Sequence, residues 1–405
     1  QRCFSTVDIQ GNTSNVFFAV ANIQSKNPAA VAEGNERVVN ARLADATFFY
    51  DRDPKTSLEA RVASLSSIVF QDGLGMVGDQ VERLRGFMLD NADALGLDAH
   101  EGQRAAYLCK SDLTTGLVGE FPELQGYMGG IYAQMNGESE AVSQAIAEHY
   151  MPASAEDALP DSKLARAIGV IERSDKLLGY FHLGRIPTAS ADPFGLRRAA
   201  LALIRLLADD QQPIQMTLAA ILKDSAKQWN QQRVTIAISD QTHASVLDYI
   251  RDRLLGFAPA LSVSVSALDA ALSAAQDLPL YQHVAVARLL TDFADSEDGQ
   301  AVASANKRIA NILKKAGDIS LNIDSALFEE SAEHVLFESL QALQLDFPSQ
   351  PKEQLEALAS LREPVNNFFD DVMVMADDVR VKANRLALLT QLRHLFLQLA
   401  DISKL

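Results

Sequence analysis

Apolar and polar residues alternate in two short β-rich runs within residues 4–23, FSTVDIQGNTSNVFFAVANI, separated by Gly11 and Asn12. A period of two interrupted by Gly-Asn predicts a β-hairpin. From about Glu36 the period lengthens to that of a helix, in runs punctuated by Gly, Pro and Asp clusters. Helices are expected over 58–69, 78–95, 101–113, 138–149, 162–178 and 193–208. Residues 209–213, DDQQP, form a polar break, and 229–240 holds one later run with strand character, VTIAI. Helical texture returns over 242–405, with hinges at 256–259, 295–299 and 346–351. There is no internal repeat and no low-complexity tract. The pattern predicts a mainly α, multi-domain chain. Its expected parts are a short β-containing remnant of a preceding domain (1–39), a helical domain (40–212), a linker (213–241) and a C-terminal helical bundle (242–405).

With 405 residues, roughly 100–200 per domain allows two to four domains. The 48% hydrophobic and 22% charged residues suit a folded soluble protein. Charge changes the picture more: 36 basic against 53 acidic residues give −17, which disfavours a protein that coats nucleic acid but leaves room for a local basic site. Cys3 and Cys109 are too few for a disulfide framework, so a reducing cytoplasm is the expected location. The most lipid-like stretch, 257–275, carries Ser262, Ser264, Ser266 and Asp269, and no membrane partner is expected. The chain opens on Gln1 and enters apolar alternation at once, as expected of a start cut from a longer parent.

Residues 73–78, GLGMVG, spell GxGxxG before a helix. A helical pattern precedes them and no βαβ alternation follows, so a helix-connecting turn is expected rather than a pyrophosphate cradle. The seven histidines are scattered, without HExxH, HxxH or a His-Asp pair, and are expected at the surface or at helix caps; no metal site is expected. Nucleophile-elbow and Walker sequences are absent. Charge reverses locally. Residues 304–315, SANKRIANILKK, contain Lys307, Arg308, Lys314 and Lys315 and no acid, +4 in all. At 100° per residue these four and Asn311 share one arc of a helix, opposite Ile309, Ile312, Leu313 and Ala316. Such a face is either solvated or aimed at phosphate. A second acid-free segment, 379–398, offers Arg380, Lys382, Arg385 and Arg393, with Arg385 set among leucines as a structural partner for a carboxylate such as Asp370 or Asp371. A third, 192–205, begins with Asp192-Pro193 as a helix start and presents Arg197, Arg198 and Arg205 to RNA or a partner subunit.

Five stretches stand out together: NARLADATFFYDRD (40–53), AAYLCKSDLTTGLVGEFPELQGYMGGIYA (105–133), DPFGLRRAALALIR (192–205), ANKRIANILKK (305–315) and EPVNNFFDDVMVMADDVRVKANRLALL (363–389). In this order they resemble the β-subunit family of bacterial glycyl-tRNA synthetases. That resemblance implies a heterotetrameric ligase. Its α subunit holds ATP and glycine, and its β subunit recognises tRNA-Gly. This chain would then be inactive alone, with no catalytic residue and no cofactor of its own. The central region is similar to the HD-phosphohydrolase fold, with Cys109-Lys110 at the place where active members carry His-Asp, so no metal is implied. The C-terminal bundle resembles the anticodon-binding domain of arginyl-tRNA synthetases through FFDDVMVMADD and NRLALL. Phe368 and Phe369 are then expected in the core and Asp370 and Asp371 beside Arg385. Lys307, Arg308, Asn311, Lys314 and Lys315, followed by Arg380 and Lys382, are the expected tRNA contacts. Alternative readings are an active HD phosphohydrolase and a helical scaffold that docks the α subunit without touching RNA.

Overall fold

The computed structural model describes residues 3–188, 192–232, 236–316 and 321–405, and the architecture is mainly α, as expected. It opens with an antiparallel hairpin, β1 (Cys3–Val7) and β2 (Thr13–Ala19), with Phe4 opposite Phe18. Gly11 has φ +85 in the connecting loop, a conformation that only glycine adopts at little cost. A long helix, α1 (Pro28–Arg52), follows, with Pro28 at its first position and the Asn27 side chain accepting from Ala30 N–H. None of its residues is fully buried, and Leu43 and Phe48 stay exposed.

The central body comprises α2 (Leu58–Val62), a small ladder of β3 (Val69–Gln71) with β4 (Gly75–Met76), α3 (Val77–Leu95), α4 (Ala99–Leu108), α5 (Gly116–Glu120), α6 (Tyr127–Met135), α7 (Glu140–Glu148), α8 (Lys163–His182), α9 (Leu196–Ala208), α10 (Leu218–Gln231) and α11 (Asp240–Phe257). Just beyond α1, the Asp53 carboxylate accepts Gly116 and Leu117 N–H at 3.0 and 2.9 Å, capping α5 and tying the long helix to the body.

Three local expectations change here. The helix expected over 58–69 stops at Val62. The Ser66 and Ser67 hydroxyls bond the carbonyls three residues back, in a 3₁₀ turn that leads into β3. The GxGxxG segment runs from the turn of the β3–β4 hairpin through β4 into the first residues of α3, rather than linking one helix directly to the next, with Gly73 and Gly75 at φ +84 and +86. The start of α3 is closed by its own Asp79, whose carboxylate accepts Met76 N–H at 2.8 Å. Finally, the helix expected from Pro193 begins at Leu196, because the Asp192 carboxylate accepts the Leu196 and Arg197 N–H groups and Gly195 turns the chain at φ +67.

At the centre of this body lies α8, with 16 of its 20 residues buried. Helices α3, α4, α7, α9, α10 and α11 pack around it. The fully buried charges of such a helix need partners. Asp175 accepts from Arg83 at 2.6 and 3.0 Å, and the Arg83 guanidinium lies 3.4 Å over the Trp229 ring. Trp229 is fully buried on α10, so the segment expected as a linker, 213–241, contributes a packed helix to the core. Within the run VTIAI, Val234 and Thr235 lie outside the described residues. Ile236 and Ile238 are buried and join no strand ladder among the described residues; instead the Asn230 side-chain amide bonds both the N–H and the carbonyl of Ile238.

The C-terminal bundle contains α12 (Val265–Ala271), α13 (Leu280–Ala294), α14 (Glu297–Ala316), α15 (Ser331–Leu345), α16 (Pro351–Ala359), α17 (Arg362–Asp371) and α18 (Val379–Leu397). Leu336, Leu340, Leu358, Phe368, Leu388 and Leu392 form its fully buried interior. Asp401 N–H donates to the Ala270 carbonyl and Ala275 N–H to the Leu397 carbonyl, fastening the chain's last turn to the α12 region. Among the described residues no helix is long and apolar enough to cross a membrane.

Candidate nucleic-acid interface

Helix α14 carries the expected amphipathic split. Lys307, Arg308, Asn311, Lys314 and Lys315 are exposed, Ile309 is buried, and Ile312, Leu313 and Ala316 are half-buried. Its two acids, Glu297 and Asp298, sit in the first turn, where they suit the helix dipole, and Asp298 is paired with Arg362. The basic end therefore keeps its charge. Lys307, Lys314 and Lys315 have no ion pair or hydrogen bond among the described residues. Ser304, Lys307, Arg308, Asn311, Ile312 and Lys315 line a shallow depression of about 510 Å³.

Arg308 differs from its neighbours. Its guanidinium lies 4.1 Å over the ring of Phe369 on α17, a cation–π contact that restrains the side chain without using its N–H donors. Phe369 is thus half-buried beside the basic face, whereas Phe368 alone fills the core.

The other basic segments separate into free and consumed cations. On α18, Arg380 is exposed and Lys382 half-buried, and neither lines the α14 depression. Arg385 is buried, but its carboxylate partners are Glu333, at 2.9 and 3.1 Å, and Glu329, at 2.9 Å, with the Met373 carbonyl taking a further N–H. Asp370 and Asp371 are exposed and do not approach it. The charge-assisted bonds that Arg385 donates to Glu333 raise the Arg385 pKa. Burial works against the Glu333 carboxylate, yet Arg385 holds its pKa below the usual range. On α9, Arg205 donates to the Ser154 and Asp157 carbonyls at 2.9 and 2.6 Å and so braces a loop, while Arg197 is half-buried and Arg198 exposed.

The Cys109-Lys110 position lies at the end of α4, inside the central body. Burial pushes the Cys109 thiol up to about 12, and its Sγ–H points at the Ala106 carbonyl. The Lys110 ammonium is 2.6 Å from Glu172 on α8, 3.0 Å from His149 Nε2 and 3.8 Å over the Tyr150 ring. Burial opposes that charge, but Glu172 more than compensates and the lysine pKa is raised. Glu172, disfavoured by burial and favoured by Lys110, settles at about 2. His149 is wholly buried, not at the surface, although it ends α7 as a cap. Its Nδ1 is 2.7 Å from the Ile146 carbonyl, which can only accept, so Nδ1 carries the proton and Nε2 accepts from Lys110. Burial and the adjacent ammonium push this histidine down to about 3. Asp112 is also buried. Its Oδ2 accepts Gly126 N–H at 2.6 Å, its Oδ1 has no hydrogen-bond partner among the described residues, and burial raises its pKa. His283 is the second buried histidine, bonded to the Ala271 carbonyl. Among the described residues no group of three His, Cys, Asp or Glu side chains could hold a metal ion.

Glu172 and His149 were not singled out by motif. One signal for Glu172 exists in the sequence: ERSDK, residues 172–176, is a charge block inside the otherwise apolar run of α8, and buried charge implies partners.

Two family profiles match the chain. One, described as glycyl-tRNA synthetase beta subunit, covers residues 1–273, and another, described as DALR anticodon binding domain, covers 302–402 and so includes most of α14 and all of α15–α18. The glycine--tRNA ligase beta subunit of Marinobacter nauticus is 40% identical over 412 residues, which take in all of this chain and 58% of that protein. The same subunit of Chromohalobacter salexigens is 40% identical over 412 residues, 59% of its length, and that of Ralstonia nicotianae 39% over 417 residues, 58% of its length. The chain therefore spans just under six-tenths of the curated relatives it matches. With its profile covering residues 1–273 and full-length similarity at 40% identity, the chain belongs to the glycyl-tRNA synthetase beta subunit family.

Proposed function

We propose that this chain is the tRNA-binding part of a glycine--tRNA ligase beta subunit. In this reading it holds tRNA-Gly in the cytoplasm while an α subunit that binds ATP and glycine performs aminoacylation in a heterotetramer. The observation that carries the reading is the acid-free cationic face of α14, within the region matched by an anticodon-binding profile. Phosphate recognition needs cations that are not already neutralised, and Lys307, Lys314 and Lys315 meet that requirement. Arg308, seated on Phe369, offers a guanidinium of fixed direction beside them. Arg380 and Lys382 extend the reading to α18.

The central body, read as an HD-like domain without metal ligands, serves as a scaffold. The Lys110 ammonium and its partners fill the place where that fold's ligand pair would stand, and a thiol held protonated at neutral pH adds no ligand. Catalysis belongs to the partner subunit, and the isolated chain is inactive. The apolar side chains left exposed on the hairpin and α1 support reading residues 1–39 as the end of a preceding unit of the full-length subunit.

Gel-shift titration of the chain with tRNA-Gly and a noncognate tRNA, with and without an α subunit, tests this function. Preferential, salt-sensitive retention of tRNA-Gly is expected. Equal, negligible retention of both tRNAs in the presence of the α subunit would leave only the scaffold role.

A further inference from the structure

We propose that the cavity between α8, α9 and the loop after α7 is a phosphate-binding pocket, closed by Lys176 and Arg198. It has a volume of about 320 Å³, near the lower end for small-ligand sites, about 300–1,000 Å³. Gln125, Tyr150, Glu172, Arg173, Lys176 and Arg198 supply its polar lining.

Four of these residues are charged, and their existing partners decide what the cavity can accept. Glu172 is spent on Lys110. Arg173 is held by four carbonyls, those of His149, Tyr150, Gly169 and Pro152, at 2.8–3.2 Å. The nearby Asp192 carboxylate is taken by two N–H groups at the start of α9. Lys176 and Arg198 remain: neither makes an ion pair or hydrogen bond among the described residues. Lys176 is half-buried, with its ammonium 5.9 Å over the Tyr180 ring, and Arg198 stands at the rim. Gly195 makes room for that rim residue. A Cβ at this position would lie 3.0 Å from the Arg198 guanidinium, and the backbone there is at φ +67.

Two cations without an ion pair face one polar cavity and repel each other. Burial lowers the Lys176 pKa; the nearby Glu172 and Asp192 carboxylates oppose that shift, and Arg198 and Lys110 add to it. A dianion relieves both costs at once. A guanidinium provides a planar fork and an ammonium a point charge, and the two together suit a phosphate with several acceptor oxygens. The Gln125 amide adds a neutral donor. The phosphate can come from a small molecule or from an RNA backbone. The pocket stands apart from α14, so the inference does not depend on the tRNA reading.

Calorimetric titration of the chain with inorganic phosphate, pyrophosphate and adenosine monophosphate, and separately with a short RNA duplex, tests this pocket. The variants are Arg198→Ala, Lys176→Gln and, as a control outside both the cavity and the α14 face, the exposed Lys26→Glu. Binding of at least one phosphate probe is expected, weakened tenfold or more by R198A and by K176Q and unchanged by K26E. Small-molecule binding alone assigns a free phosphate, and duplex binding alone assigns an RNA backbone. No binding of any probe at millimolar concentration, or binding unaffected by both cavity variants, would overturn the proposal. Since R198A changes a rim residue, its unfolding midpoint confirms that any loss is local.

Discussion

Lys110 and Lys314 are lysines on helices of the same acidic chain, yet their cations are used in opposite ways. At the end of α4, Lys110 is buried with every donor direction filled by Glu172, His149 or the Tyr150 ring. On α14, Lys314 is exposed and without an ion pair among the described residues. Arg385 and Arg308 repeat the contrast in the C-terminal bundle, the first enclosed by Glu329 and Glu333, the second resting on Phe369 with no ion pair or hydrogen bond among the described residues. Counting cations therefore says little about where an anion binds; what matters is how many remain without a carboxylate.

The largest expected effects come from breaking the enclosed pairs. Lys110→Met leaves Glu172 without its counter-ion and is expected to destabilise the fold by about 3–5 kcal/mol in chemical denaturation, and Arg385→Met by a similar amount. Replacing both members, Lys110→Met with Glu172→Leu, is expected to recover most of the loss. If the double variant is as unstable as the single one, the cluster is held by something other than the ion pair. Asp370→Asn with Asp371→Asn is expected to shift stability by no more than about 0.5 kcal/mol, since neither residue touches Arg385.

Acid sensitivity follows next. Folding lowers the His149 pKa to about 3, from an unfolded value near 6.5. Between these values the unfolded chain binds a proton that the folded chain refuses, so stability falls as pH drops below about 6.5. This group alone contributes a slope of about 1.4 kcal/mol per pH unit. Glu172, lowered to about 2, adds loss as pH falls below its unfolded value near 4.5. His149→Asn is expected to flatten the unfolding profile between pH 6.5 and 4.5. An unchanged slope there would mean that this histidine is not held neutral.

Smaller effects are expected on α14. Lys314→Gln and Lys315→Gln should leave stability within about 0.5 kcal/mol while weakening tRNA binding. Phe369→Leu removes the seat of Arg308, at a cost of about 0.5–1 kcal/mol to the bundle, and loosens the guanidinium.

How much of this was legible depended on distance along the chain. The hairpin around Gly11 and the two faces of α14 rest on local periodicity, and both stand where the pattern placed them. The partners of Lys110 lie 39 and 62 residues away, and Glu333 lies 52 residues from Arg385, so no local spacing could name them. The nearer acids, Asp370 and Asp371, looked plausible only because they were close in sequence. The apolar alternation at Ile236 and Ile238 resembled a strand, but a single asparagine side chain satisfied the backbone instead. In the same way, the proline in the 209–213 break suggested a linker, while Trp229 and its neighbours on α10 supplied enough apolar surface to dock.

The salt dependence of tRNA-Gly binding by Lys307→Glu with Arg308→Glu, measured against the unmodified chain from about 50 to 200 mM salt, tests phosphate recognition by α14 most directly. Weaker binding is expected, with the log–log salt slope shallower by about 0.7–0.9 for each phosphate that the variant no longer neutralises. An affinity and slope equal to those of the unmodified chain would contradict a phosphate-binding role for this face.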